Sequence, residues 1–332
     1  MSAREVSPLL LGVLGCADIA VNRVVPALAG SQRVRVLALA SRDGARARQW
    51  AEKLGVPEAY GSYAELLRRE DLEAVYVPLP NSLHAPWTLA ALAAGKHVLC
   101  EKPLALTVRE ARLMIAAARK SGRVLMEGFM YRHHPRNRRA LELLRSGEIG
   151  ELASIESEFS YFLPDSGSYL FDPRRGGGAL YDVGCYCVHV ARAAAAEEPR
   201  EAFAVWRRSP GGVDLSIAGM LRFPGGALCT FHASMKEEPR FGYRLVGTRG
   251  LIEAPWAFVS HGRETRLLLQ KAEKAQELSF PGSDEYLLEF EHFADLCRGI
   301  CAPLFPIEDA LGNLHALEAL RRSAARGRPV RV

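Results

Sequence analysis

The first 128 residues alternate short apolar runs with helix-sized segments, and this alternation constrains the fold more than any other feature of the sequence. Leu9–Leu14 is an apolar run ending at Gly15. A helical stretch follows from Asp18 to about residue 29. Val34–Ala40 is a second run, and residues 46–54 are helical until Gly55-Val56-Pro57. Ser62 caps a short helix at 63–69. Ala74–Val77 is a third run, closed by Pro78 and Pro80, and a helix at 83–94 stops at Gly95. Residues 97–100 make a fourth run. Thr107 N-caps the next helix with Glu110 at its third position, a capping box, and Gly122 ends it. Residues 124–126 are a fifth run. Strands this apolar bury both faces, and the helices between them supply the crossovers. The pattern dictates an α/β fold: a Rossmann, doubly wound parallel sheet with helices on both faces.

After about Tyr131 the rhythm changes. A helix over Pro135–Arg145 leads into a long strand, Leu152–Phe162, and then into a loop rich in Gly, Pro and Asp. A helix starts near Gly178 and runs past His189. From 202 to 280, strand-like pieces are separated by Pro210-Gly211-Gly212, Pro224-Gly225-Gly226, Pro239 and Gly247-Thr248-Arg249-Gly250, which are turn signals at hairpin spacing. Helices at 284–297 and 307–325 close the chain. This half reads as an α+β domain with a large, mostly antiparallel open sheet and helices on one face. The 332 residues of the whole chain suit two domains at about 150 residues each, set here at 1–129 (dinucleotide binding) and 130–332 (substrate binding and oligomerisation).

Several function classes drop out. The charge is +5, and the 43 basic residues comprise 36 Arg and 7 Lys, scattered without a basic stripe interleaved with aromatics, so no nucleic-acid partner is expected. No uncharged apolar run reaches about 18 residues, so no membrane span is expected. The apolar stretch at Pro8–Gly12 is short, follows Arg4 and Glu5, and reads as a first strand rather than a signal peptide. Seven cysteines without a secretion signal suggest free thiols in the cytoplasm. Cys185-x-Cys187 and Cys297-x-x-x-Cys301 lack the usual zinc spacing, so no metal and no disulfide are expected.

Three motifs carry chemistry. The first strand runs into Gly15-Cys16-Ala17-Asp18-Ile19-Ala20, where Gly15-x-Ala17-x-x-Ala20 is a variant of the dinucleotide fingerprint. Such a turn lets backbone N–H groups approach a pyrophosphate at a helix N-terminus, and Ala17 departs from it by one methyl group. The second strand ends in Ser41-Arg42, with no acidic residue for a ribose 2′-hydroxyl. Arg with a hydroxyl neighbour suits a 2′-phosphate, favouring NADP, with NAD as the alternative. Asp43 complicates this, since it also suits the cap of the next helix. Finally, Leu79, Pro80, Asn81 and His84 follow the third strand, and Glu101-Lys102-Pro103 follows the fourth. Both lie at carboxyl ends of strands, where open α/β sheets place ligands.

Glu101-Lys102-Pro103 resembles the signature of the glucose–fructose oxidoreductase, inositol dehydrogenase and MocA family. The likeness continues through Pro80-Asn81-x-x-His84, Met130-Tyr131-Arg132-x-His134-Pro135, the stretch from Gly176 to Tyr186, and Val246-Gly247-Thr248-x-Gly250. It covers nearly the whole chain in order. The resemblance implies a Rossmann domain followed by an α/β domain whose sheet often mediates oligomers, here a homodimer or homotetramer. It implies catalytic Lys102, Asp182 and Tyr186, with Leu79, Pro80, Asn81, His84, Glu101, Lys102 and Arg132 on the cofactor side. Tyr at position 186, where many relatives carry His, is similar to the dimeric dihydrodiol dehydrogenases, glucose–fructose oxidoreductase and NADP-dependent D-xylose dehydrogenases.

The chemistry supports that pattern independently. Asp182 and Tyr186 are four apart on a predicted helix and share a face. The glycines before them suggest a tight entrance with N–H groups free for a ligand. Oxidising a C–OH carbon requires removal of the hydroxyl proton, and an ammonium beside a tyrosine favours the tyrosinate and the developing alkoxide. His189 is one position out of phase with that face and reads as a packed helix residue. The expectation is an NADP-dependent dehydrogenase or reductase acting on CH–OH groups. Its substrate would be a sugar, an aldose such as D-xylose, or else a cyclic diol (trans-dihydrodiol). The other class left open is a non-catalytic NADP-sensing regulator. Tyr161, Phe162, Asp172 and Arg174 are candidate pocket residues.

Overall fold

The computed structural model describes residues 7–164 and 167–332. The lead-in at 1–6 and two positions of the Gly-, Pro- and Asp-containing loop lie outside the described residues. The chain divides into two compact units. One runs to Gly128 and takes in Tyr286–Glu308, and the other comprises Phe129–Glu285 and Asp309–Val332.

Among its described residues the first unit is built on six parallel strands: β1 (Leu9–Leu14), β2 (Val34–Ala40), β3 (Glu58–Tyr60), β4 (Ala74–Val77), β5 (His97–Glu101) and β6 (Leu125–Gly128). Their order is β3-β2-β1-β4-β5-β6, so the sheet is wound outward from β1 in both directions. β4 is buried along its whole length, as a strand covered on both faces must be. Thr107 and Glu110 form the capping box, and Gly122 ends that helix in the left-handed region. The apolar pattern did not signal β3, whose three residues are all half-buried.

One helix of the first unit comes from late in the chain. Glu285–Cys297 joins it from Tyr286 onward, whereas the sequence pattern assigns 130–332 to the second domain. Phe290 and Phe293 are fully buried, and Phe290 meets Tyr76 edge-on at 5.0 Å. Arg298 pairs with Glu73 and Arg33 with Asp295. Aromatic burial supplies most of the attachment, because partly exposed ion pairs contribute little.

Among its described residues the second unit holds nine strands in the order β14-β13-β12-β11-β7-β10-β9-β8-β15. These are β7 (Leu152–Phe162), β8 (Glu201–Arg208), β9 (Asp214–Arg222), β10 (Leu228–Ser234), β11 (Lys236–Gly247), β12 (Leu251–Pro255), β13 (Thr265–Lys271), β14 (Lys274–Phe280) and β15 (Val330–Arg331). Among the described residues only the β7–β10 pair of this sheet is parallel, with Leu228 opposite Ser154. Along β7 and β10 the buried residues Ile155, Phe159, Cys229 and Phe231 alternate with polar ones, the period-2 pattern of a sheet covered on one face. The helix Asp309–Arg326 buries Leu314, Leu317 and Leu320 and sends Ser323 Oγ to accept from the Ala204 amide on β8.

Candidate active site

In the first unit the site begins where β1 turns into its helix. Gly15 has φ +118, and a Cβ there would stand 2.8 Å from Leu79 Cδ2. The turn therefore needs glycine both for its dihedral and for its fit against the loop after β4. Cys16 is buried, and burial pushes its thiol up despite the opposing charge of Arg46. Arg46 donates to the Cys16 carbonyl at 2.9 Å, which ties the turn to the helix after β2. Ala17 and Ile19 are half-buried and Asp18 is exposed. The helix then opens with a π-helical turn, Ala20–Val24.

At the end of β2 the ambiguity over Asp43 disappears. Its Oδ1 accepts from the amides of Ala45 (2.9 Å) and Arg46 (3.2 Å), so the carboxylate is committed to capping the helix Gly44–Leu54. Ser41 is buried and its Oγ accepts from the Asp43 amide. Arg42 is exposed, and burial pushes the Tyr63 hydroxyl up against the opposing charge of Arg42. This strand end thus presents Arg42 and Arg46 with its acid already satisfied. With a glycine turn that a Cβ would fill, these residues fit a dinucleotide carrying a 2′-phosphate.

His84 takes a supporting place. It is fully buried, with Nδ1 2.9 Å from the Pro103 carbonyl and Nε2 2.8 Å from the Leu79 carbonyl. Burial pulls it down to about 4, so the neutral ring donates to one of the two. It braces the loop after β4 against the loop after β5, which carries Lys102. Neighbouring Glu101 accepts from the Tyr76 hydroxyl at 2.6 Å, and buried Glu127 accepts from the Leu104 amide at 2.7 Å. Asn81 is buried, while Pro80 and Lys102 are half-buried.

In the second unit Asp182 and Tyr186 lie on one helical stretch, but not on a regular α-helix. Leu180–Gly184 is π-helical and Cys185–Ala195 is α-helical. The helix carrying the fingerprint and the helix carrying this pair both open with a π turn, a feature frequent at functional sites. The entrance is also more closed than the glycines suggest. The amides of Gly176, Gly177 and Gly178 donate to the carbonyls of Pro173, Asp172 and Leu170, and the Leu180 amide donates to Asp214 Oδ2 at 2.6 Å. A Cβ on Gly178 would fall 2.1 Å from Asp214 Oδ1, and one on Gly177 2.3 Å from the Leu170 carbonyl. These glycines serve close packing rather than open amides.

Asp182 is half-buried and accepts a short hydrogen bond from the Tyr161 hydroxyl. Burial, then the Asp182 charge, pushes Tyr161 up, so it stays a donor. Tyr161 was only a pocket candidate in the sequence, and nothing there tied it to Asp182. Tyr186 is buried and its hydroxyl is 3.3 Å from Met130 Sδ, a weak acceptor that a substrate oxygen outcompetes. Phe129, Tyr131, Phe159 and Phe258 box its ring at centroid distances from 5.2 to 5.8 Å. Arg132 is half-buried. Phe162 is 61% exposed, and Asp172 is held by Arg174 and Arg175. Among the described residues no group of His, Cys, Asp and Glu is arranged to hold a metal.

This chain belongs to the oxidoreductase family with an NAD-binding Rossmann fold: that family model matches residues 9–129, and the GFO/IDH/MocA C-terminal domain matches residues 137–253. It is similar to a D-xylose 1-dehydrogenase (NADP(+)) of Haloferax volcanii, at 37% identity over 98% of this chain and all of that one. It is also similar to a trans-1,2-dihydrobenzene-1,2-diol dehydrogenase of Mus musculus, at 37% identity over 88% of this chain and 90% of that one. Among solved structures it resembles KijD10, a 3-ketoreductase from Actinomadura kijaniata in complex with NADP and TDP-benzene. There the TM-score is 0.90 at 33% identity, covering 95% of this chain and 98% of that one. KijD10 has also been solved as a Tyr-to-Phe and a Lys-to-Ala variant.

Proposed function

We propose that this protein is an NADP-dependent oxidoreductase that moves a hydride between NADP and a sugar, with an aldose such as D-xylose oxidised at its anomeric carbon. The observation that carries the reading is the end of β2, where Asp43 is spent on a helix cap and two arginines are left beside the glycine turn. Gly15, Cys16, Ala17, Asp18, Ile19, Ser41, Arg42, Leu79, Pro80, Asn81, Glu101, Lys102 and Arg132 form the cofactor side, with His84 behind them as a brace. NADP, when bound, supplies the hydride acceptor or donor. Tyr186 takes the proton from the substrate hydroxyl and returns it in the reverse direction. The Lys102 ammonium favours the tyrosinate and the developing alkoxide. Asp182, oriented by Tyr161, accepts from a second substrate hydroxyl.

Three features of the relatives support this. They include an NADP-dependent xylose dehydrogenase and a 3-ketoreductase bound to NADP, and the KijD10 variants single out the same two residue types, Lys and Tyr. The dihydrodiol dehydrogenase keeps a cyclic diol as the second substrate class. Retention of Lys102, Asp182 and Tyr186 together speaks against a purely NADP-sensing regulator. The enzyme works in the cytoplasm as a homodimer or homotetramer. The support for assembly is the outer sheet face, where Val205, Met220 and Leu228 are 54%, 45% and 44% exposed on adjacent strands. Turnover of a panel of aldoses, inositols and cyclic diols, each with NADP and with NAD, tests the reading by nicotinamide absorbance. NADP-linked oxidation of an aldose is expected, and turnover confined to NAD or to cyclic diols overturns it.

A further inference from the structure

Lys102 opens the loop after β5, and in each of the three residues from Lys102 to Leu104 a side chain of the first unit holds a backbone group. The Lys102 amide donates to Glu101 Oε2 at 3.3 Å. The Pro103 carbonyl lies 2.9 Å from His84 Nδ1. The Leu104 amide donates to Glu127 Oε1 at 2.7 Å. Leu104 and Ala105 are fully buried, so the loop turns inward directly behind the lysine.

The two carboxylates reach this loop from opposite faces of the sheet. Tyr76 on β4 lies opposite Leu99, two residues before Glu101, so Tyr76 and Glu101 leave the same face. The Tyr76 hydroxyl donates to Glu101 Oε1 at 2.6 Å. Tyr76 is fully buried, and burial, then the Glu101 charge, pushes its hydroxyl up, so it stays a donor. Glu127 on β6 lies opposite Cys100 and leaves the other face. Gly128 makes room at the strand end, where a Cβ would stand 3.3 Å from the Cys100 carbonyl and 3.5 Å from Glu101 Oε1. Burying the Glu127 carboxylate costs free energy that an apolar residue would spare, but an apolar residue would leave the buried Leu104 amide without this acceptor.

We propose that Tyr76 and Glu127 are positioning residues for Lys102. Tyr76 fixes the Glu101 carboxylate on the Lys102 amide, and Glu127 pins the chain two residues further on, so the backbone that carries the lysine is held on both sides. The inference rests on the reading of Lys102 as the ammonium that favours the tyrosinate. Its reach depends on where that backbone sits, and a misplacement of about 1 Å costs up to about 10² in rate.

The test is kcat for NADP-linked aldose oxidation against pH, with NADPH affinity from fluorescence titration and amide hydrogen exchange of the peptide spanning 102–106 by mass spectrometry. Tyr76→Phe keeps the edge contact with Phe290 and removes the hydroxyl. Tyr76→Phe and Glu127→Leu should each lower kcat roughly tenfold, the scale of one hydrogen bond to a charged group, and change NADPH affinity less. Both should move the rise of kcat toward higher pH, because the tyrosinate loses part of its counter-charge, and both should speed exchange of that peptide. Glu127→Gln, whose amide oxygen still accepts from Leu104, should keep most of the wild-type rate. In a Lys102→Met background Tyr76→Phe should cost little more, because both act through one group. If Glu127→Leu does not fold, Tyr76→Phe and its double variant with Lys102→Met carry the test. Wild-type kcat in Tyr76→Phe beside a slow Lys102→Met overturns the proposal and leaves the reading of Lys102 intact. Unchanged exchange, a full tenfold loss in the Lys102→Met background, an affinity loss as large as the loss in kcat, or a Gln variant no faster than Leu overturns it as well. Wild-type kcat in Lys102→Met overturns the reading of Lys102 and the proposal together.

Discussion

Asp214 gives the sharpest physical prediction. It is 8% exposed at the start of β9 and accepts from the Leu180 amide at the entrance of the Asp182–Tyr186 helix. Burial raises its carboxyl from 3.8 to about 6, against the opposing Leu180 hydrogen bond and the charges of Arg208 and Arg321. The folded value lies above the unfolded one, so the folded chain keeps the proton longer. The stability this group contributes is full below about pH 4, is lost as pH rises to about 6, and is level beyond. The difference corresponds to about 3 kcal/mol at most. Asp214→Asn cannot ionise, and its amide oxygen still accepts from Leu180. Its melting temperature relative to wild type should therefore climb between pH 4 and 6.5, by up to several degrees at about 2–4 °C per kcal/mol. Circular dichroism melts of both proteins at half-unit pH steps measure this difference directly, and other carboxylates cancel in the subtraction. Parallel melting curves across that window would refute the assignment of a buried, titrating Asp214.

Other substitutions test the site. Arg42→Ala should weaken NADP about 10- to 100-fold, the loss of a charge-assisted hydrogen bond, and leave NAD nearly unchanged in the same titration; equal losses would show that Arg42 does not read a 2′-phosphate. Tyr186→Phe should lower kcat about 10²- to 10⁴-fold with NADPH affinity nearly intact, and adding Lys102→Met should cost far less than the product of the two single losses; near wild-type kcat in Tyr186→Phe would move the base elsewhere. Tyr161→Phe should raise KM for the sugar several-fold more than it lowers kcat, since it frees Asp182 without removing it, and an unchanged KM would show that Asp182 needs no such anchor. Val205→Glu should shift the protein toward smaller species in light scattering if the outer sheet face is the assembly surface, and an unaltered mass would clear that face.

Most of the strand ends that build the site were legible because they are punctuated locally. Leu9–Leu14, Val34–Ala40 and Ala74–Val77 are bounded by Gly15, Ser41 and Pro78, and each boundary is set by residues adjacent in the chain. The Thr107–Glu110 box is likewise a contact across three positions. The cap role of Asp43 could be suspected from its place before Gly44 but not chosen, because a ribose and a helix end compete for the same carboxylate. β3 and β15 carry no readable signal because strands of two or three residues, none of them buried, show no period. The π turns escaped because they follow from packing around the helix rather than from propensity.

The sequence by itself determined the alternating parallel sheet, the glycine turn at Gly15, the arginine at the end of β2 and the spacing of Asp182 and Tyr186, since all of these are written in residues near one another along the chain. Tertiary structure decided what no local pattern encodes. It brought the helix from Tyr286 onward back to the first unit, set Asp214 against Leu180 and Gly178, gave Tyr161 to Asp182, and set the packed helix residue His189 between Asp309 and Tyr131. Those partners lie between 21 and 120 positions apart, as Tyr161 from Asp182 and Asp309 from His189 show. A buried polar group is satisfied by whichever partner the fold delivers, and over such separations the fold alone selects that partner.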